Sequence, residues 1–182
     1  MDKKQAGYQY LLAYKITVPI YDYTVEFTKR WINNYSRTVD QMVQAARSGM
    51  QNIAEGSKQQ SLSSYIKLAG VARGSLEELL NDYYAFARQN NIAIWEKERA
   101  KREIREIGEI WAIIRTNPIL PDSPAFPSLP KNQEQAVNLL ITLIRQANYL
   151  IDKLVESLKE KHRTEGGFNE KLYRNRKQYR GY

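Results

Sequence analysis

An all-α fold is predicted by three observations. No segment shows the every-other-residue apolar alternation of a half-buried strand, five segments carry apolar residues at spacings of three and four, and helix start and stop signals fall between them. At 182 residues, 42% hydrophobic and 26% charged, the chain is the size of one domain and has the apolar content for a core.

The first segment runs from about Pro19 to Asn33, with Ile20, Thr24, Phe27 and Trp31 on one stripe and Pro19 placed in the first turn, where a missing N–H costs nothing. The stretch before it, residues 8–18, reads as a short helix or an extended arm. A second helix is expected from Thr38, whose hydroxyl can cap the helix while Gln41 reaches back, with Val39, Met42, Val43, Ala46, Met50 and Ile53 as its stripe. Gly56 is expected to end it in a left-handed conformation. The third opens near Ser61, carries Tyr65, Leu68, Ala69, Ala72, Leu76, Leu79, Leu80 and Tyr83, and closes at Asn90-Asn91. On it Gly70 and Gly74 lie four apart, a spacing that lets another helix backbone come close.

Residues 92–117 read as one solvent-facing amphipathic helix, dense in alternating charge, with Trp95, Ile104, Ile107, Trp111 and Ile114 on its apolar side. Five of the six prolines then fall within residues 118–130, which reads as an extended crossover loop. The last helix is expected from Asn132, a cap with Gln135 three residues on, through Ile144 and Ile151 to the stop at Gly166-Gly167. The economical architecture is an antiparallel four-helix bundle with one additional amphipathic helix and a basic C-terminal tail. In domain terms, residues 1–162 form the helical bundle and residues 163–182 a basic suffix.

The net charge of +8 is unevenly placed: residues 1–130 carry 17 basic and 14 acidic groups, residues 131–160 four of each, and residues 161–182 seven basic and two acidic. The tail interleaves Tyr173, Tyr179 and Tyr182 with Lys171, Arg174, Arg176, Lys177 and Arg180, and Arg163 precedes it. Guanidinium forks suit phosphates and tyrosine rings suit stacking on unpaired bases, so these residues are the candidate nucleic-acid contacts. A solvated chain end is the plainer alternative.

Catalytic chemistry finds little support. There is no cysteine, which removes thiolate metal sites and cysteine nucleophiles and fits a reducing compartment. His162 is the single histidine and sits among basic residues, so no triad or paired-histidine metal site can be assembled around it. Glu77, Glu78 and Asp82 put carboxylates on one helix without the Glu-x-x-His pattern of di-iron bundles. No metal, no cofactor and no enzymatic activity are expected. No apolar run approaches the ~20 residues of a membrane span, and tyrosine and lysine interrupt the N-terminus where a leader needs continuous apolar residues, so a cytoplasmic location is expected. One polar cluster stands out. Gln44, Arg47, Gln51, Asn52 and Glu55 alternate with the apolar stripe of the second helix, where Arg47, Gln51 and Glu55 could form a ladder or meet Arg73 and Glu77 of the third. They read as a structural network or an oligomer interface.

Two motifs inside this region, QAARSGMQNIAEGS at residues 44–57 and ARGSLEEL at residues 72–79, resemble the signature of the 23S rRNA intervening-sequence proteins, a four-helix bundle family. QANYLIDKLVESL and GGFNEKLYRNRKQYR are similar to a longer variant of that family with a C-terminal suffix. The resemblance implies a non-enzymatic bundle assembling as a homopentamer. It also implies kinship with the accessory variability determinant of diversity-generating retroelements, which binds a reverse transcriptase and nucleic acid. RNA and a reverse transcriptase are therefore the expected partners. Because the bundle portion here is nearly neutral, the tail would supply much of any phosphate attraction. A protein-protein adaptor without specific nucleic-acid binding is the alternative.

Overall fold

The structure, a computed structural model, describes residues 7–33 and 35–180, the side chains of Asn169 and Lys171 excepted. Among these residues a 3₁₀ turn at Gly7–Tyr10 is followed by seven α-helices and no strand: α1 Leu12–Trp31, α2 Arg37–Ser57, α3 Leu62–Gln89, α4 Lys97–Glu103, α5 Arg105–Thr116, α6 Gln133–Glu165 and α7 Phe168–Arg180. The all-α expectation holds.

The four long helices close a ring in which α1 and α3 each pack against both α2 and α6. Gly49 of α2 faces Leu76 of α3, while Gly56 faces Tyr65 and Leu68, so these two helices run in opposite directions. Arg73 meets Asp152 and Tyr84 meets Arg145, which gives α3 and α6 the same opposed sense. Ile16, Ile20, Phe27, Met42, Ile53, Leu76, Leu79 and Tyr83 fill the space between the helices. Within it the Tyr83 hydroxyl donates to Thr24 Oγ1 at 3.0 Å, so the buried phenol keeps a partner. Burial raises the pKa of that phenol above the usual tyrosine value.

Several local expectations are corrected. Pro19 lies inside α1, whose first turn is at Leu12. An interior proline costs about 3 kcal/mol, but the stripe Ala13, Ile16, Ile20, Tyr23 and Phe27 is buried along its length, and that burial carries the helix through. Ser36, not Thr38, caps α2, its side chain accepting from the Thr38 N–H. Gly56 stays helical and has no positive φ. Its lack of a Cβ serves packing, since a Cβ there would lie 2.5 Å from the Tyr65 ring. By contrast, α3 opens just after Ser61, Asn132 caps α6 through the Gln135 N–H, and Gly166 ends α6 at φ +76°, all as expected, with Ser61 serving as the α3 cap.

The segment 92–117 is not one helix. Residues 92–96 are irregular, and Ile104, at φ −107° and ψ 94°, separates α4 from α5. Ile104 at the break and Trp95 in the irregular stretch are both buried in the core. The irregular stretch is held by Asn138 of α6, which accepts from the Trp95 N–H at 2.7 Å and donates to the Ala93 carbonyl at 2.9 Å. Trp95 Nε1 donates to Glu134 at 2.5 Å and Trp111 Nε1 to Gln146 at 2.7 Å, so both indoles are tied to α6. Thus 92–117 packs on its own chain, with α5 against α1 and α6 and α4 against α6.

Three side chains of α1 fix this outer layer. Lys15 of α1 is buried, and its ammonium donates to the carbonyls of Ile114 at 2.8 Å, Asn117 at 3.0 Å and Pro118 at 3.4 Å. A cation thus closes the negative end of α5 and satisfies carbonyls that have no intrahelical partner. The proline-rich crossover then runs past α1, where the Tyr23 hydroxyl donates to the Pro127 carbonyl at 2.6 Å and Arg30 donates to those of Leu129 and Pro130. Covered by the ring on one side and this layer on the other, α6 is buried at every position from Ala136 to Ile144. Its run AVNLLITLI is the sequence trace of a helix buried all round. No helix of the described residues is long and apolar enough to cross a membrane.

Candidate nucleic-acid interface

The basic tail is helical. Gly166 breaks the chain direction after α6, the Gly167 N–H donates to Glu170 Oε2 at 3.0 Å, and α7 follows. Glu170 in the first turn and Lys177 and Arg180 in the last complement the helix dipole, and leucine, lysine, arginine and glutamine are good helix formers. Every side chain of α7 within the described residues is exposed. Arg174, Arg176, Lys177 and Arg180 make no ion pair among the described residues, so none of these four cations is neutralised by a described carboxylate. Tyr173 and Tyr179 project at 70% and 94% exposure, available for stacking. The Lys171 side chain and Tyr182 lie outside the described residues. Arg163 stands apart from this group: it belongs to the last turn of α6, and its guanidinium pairs with Glu160 at 2.7 Å. On the same helix as the cations, Phe168, Leu172 and Tyr179 form an exposed apolar stripe at helical spacing.

The polar cluster is divided by the structure. Between α2 and α3, Ser48 and Ser75 share a 2.8 Å hydrogen bond, and Asn52 Nδ2 donates to the carbonyl and hydroxyl of Ser48. Above them Gln44 lines a cavity of about 500 Å³ with Gln41, Glu78 and Asp82. Burial, then the neighbouring Glu78 charge, pushes the Asp82 carboxyl above the usual range. Arg73 and Glu77 instead look toward α6. Arg73 bonds Glu77 at 2.6 Å and Asp152 at 3.1 Å, and Asn148 donates to Glu77 at 3.2 Å. The proposed meeting of Arg47, Gln51 and Glu55 with Arg73 and Glu77 does not form, because the two sets leave α2 and α3 on different sides. Nor is there a ladder: Arg47 and Glu55 are exposed, and no hydrogen bond joins them or Gln51 through their side chains.

Gly70 and Gly74 meet no other helix among the described residues: both are exposed, and nothing described lies within 4 Å of where their Cβ atoms would be. His162 is half-buried in the last turn of α6, its carbonyl accepting from the Gly166 N–H. Among the described residues no three histidine or acidic side chains converge as a metal-holding group.

The structure also brings together residues that sequence reading left scattered. A cavity of about 760 Å³ opens between α5 and α6, lined by Lys97, Lys101, Arg115, Arg145, Trp111 and Tyr149 with smaller groups between them. No carboxylate lines it. These cations come from three elements whose net charges are individually unremarkable, so only their convergence reveals the patch. The sequence signal available was the spacing of Arg145 and Tyr149, four apart and so on one face of α6.

Comparison with known proteins bears on the bundle. No curated protein and no solved structure matches the chain. The family model described as "23S rRNA-intervening sequence protein" matches residues 9–112, which takes in α1 to α3, α4 and most of α5, and leaves α6 and α7 outside the match. With more than half of its 182 residues matched, and with both quoted motifs inside the match, the chain belongs to the 23S rRNA-intervening sequence protein family.

Proposed function

We propose that this protein is a non-enzymatic, oligomeric RNA-binding scaffold whose helices α1, α2, α3 and α6 make an antiparallel four-helix bundle and whose α7 carries the RNA contacts. The observation that carries the reading is α7 itself: four cations without an ion pair and two projecting tyrosines on a helix that none of the described residues covers. A 13-residue helix alone in water is marginal, so an anionic partner that neutralises its charge would also stabilise it. The family's name associates its members with rRNA, which is the reason for choosing RNA among anions. A homopentameric assembly and a reverse transcriptase as protein partner belong to the same reading, by the likeness to the retroelement accessory protein.

The test is the full chain with Arg174, Arg176, Lys177 and Arg180 all replaced by glutamine, titrated with RNA at several salt concentrations. Loss of four phosphate contacts should lower the slope of log affinity against log salt by roughly 3, at about 0.7 per contact for single strands. Unchanged affinity and slope would remove α7 from the interface.

A second reading is favoured by the stripe Phe168, Leu172 and Tyr179, which is the kind of face a helix presents to a groove on another protein. On that reading the chain is an adaptor. Replacing Phe168 and Leu172 by serine should then abolish capture of a protein partner from nuclease-treated lysate while RNA affinity stays as it was.

A further inference from the structure

The groove between α5 and α6 is a second cationic surface, chemically unlike α7. Its four cations are largely unspent. Arg115 and Lys97 have no protein acceptor among the described residues, and Lys101 has only Glu98 at 3.9 Å. Arg145 uses Nε on the Tyr84 hydroxyl at 2.9 Å, which leaves both of its terminal amino groups free. Nearby carboxylates are turned to other partners: Glu103 pairs with Arg99 and Arg102, and Glu109 with Arg105. The groove therefore keeps an uncompensated positive field.

Flat rings accompany the charge. Trp111 is anchored at its edge by Gln146 and carries the Arg115 guanidinium 5.4 Å from its centroid, and Tyr149 stands 62% exposed at the rim. An exposed phenol beside unpaired guanidinium groups matches a nucleotide, whose phosphate takes the forks while the base covers the ring. An acidic peptide would use the charge but leave the Tyr149 ring with only the Lys153 ammonium, 5.8 Å from its centroid, and a duplex would hold its bases in their own stack.

We propose that this groove binds an unpaired nucleotide of RNA, with Arg115, Arg145, Lys97 and Lys101 on the phosphates and a base stacked on Tyr149. The proposal rests on the RNA-binding reading and gives it a second surface, remote in sequence from α7.

The test uses the full chain, a fluorescent twelve-residue oligouridylate carrying 4-thiouridine, and a blunt RNA duplex of equal charge. Two groove variants are compared with the parent and with the α7 glutamine variant: R115Q/R145Q, and G108E, which adds a carboxylate at an exposed helical glycine with nothing within 4 Å of its Cβ position. Each should weaken oligouridylate binding by about tenfold or more at fixed salt, with R115Q/R145Q lowering the salt slope by roughly 1.4. Y149A should weaken it about fivefold or more without changing the slope, as loss of one stacked base does. Photo-adducts should map to the peptide containing Tyr149, in the parent and in the α7 variant alike.

Groove variants that bind as the parent does, with adducts confined to α7, would overturn the groove and leave the RNA reading standing. Equal losses for duplex and single strand would overturn its assignment to unpaired nucleotides. A parent that binds neither RNA would sink the RNA reading, and this proposal with it.

Discussion

Replacing glycine by alanine inside a helix should change sign between sites of this one chain. In an exposed helix interior the exchange gains about 1 kcal/mol, because alanine loses less backbone freedom. At Gly70 and Gly74 nothing lies within 4 Å of the new methyl, so each substitution should stabilise by about that amount. Gly49 differs. A Cβ there would sit 2.5 Å from Leu76 Cδ2 and 2.7 Å from its Cγ, and Leu76 is fully buried. Because Cγ is the branch point and not a free end, the whole side chain must move against a packed core, at about 1–3 kcal/mol for overpacking. Set against the same helical gain, G49A should come out about 0–2 kcal/mol less stable than the parent, and so without the gain expected at the exposed sites. Urea denaturation followed by circular dichroism, with parent and variants matched at each of two protein concentrations, reads all three. If G49A is stabilised as much as G70A, the close α2–α3 contact described here is wrong. If G70A and G74A are destabilised in a concentration-dependent way, that face of α3 is covered by a second copy of the chain.

Other outcomes follow from single contacts. N138L removes the group that bonds the Trp95 N–H and the Ala93 carbonyl, so it should cost about 2–4 kcal/mol and speed amide exchange first at residues 92–96; unchanged exchange there would refute the role of Asn138 as the clamp. K15M withdraws the ammonium from the Ile114 and Asn117 carbonyls and should cost about 1–3 kcal/mol, with fraying at the end of α5 seen by the same method. Asp82 is held above the usual carboxyl pKa by burial and then by Glu78, so the folded state binds its proton more tightly than the unfolded chain does. That contribution is complete below the unfolded value and is lost as pH rises through the folded one, so D82N should be more stable than the parent at pH 7 and lose the advantage at pH 3. An advantage that persists unchanged at pH 3 would assign the effect to something other than the charge.

Much of the fold was legible in the sequence because its signals are local. The 3.6-residue stripes of α2, α3 and α6, the start of α3 near Ser61, the cap Asn132, and the stop at Gly166 each depend on neighbours within a turn or two. The two motifs at residues 44–57 and 72–79 lie where α2 and α3 meet, and they named the family that the match over residues 9–112 shows. What misled was local signal overridden by burial. Pro19 has the look of a helix start, yet the buried stripe on both sides carries α1 through it. The charge pattern of 92–117 reads as one helix, yet α6 offers Asn138 as a backbone partner and the core accepts Trp95 and Ile104, which pays for two interruptions.

The candidate sites divide in the same way. Sequence by itself determined that the chain is helical, that its positive charge gathers at the C-terminus, and which residues of α7 carry it, because charge and periodicity are properties of a segment. Only the tertiary structure decided that Arg73 and Glu77 turn to Asp152 and Asn148 and not to α2, that Lys15 closes α5 from a helix about a hundred residues earlier, and that Arg115 and Arg145 open into one groove. Those are meetings between segments. Their positions are set by which faces must leave water together, and no single segment contains that information.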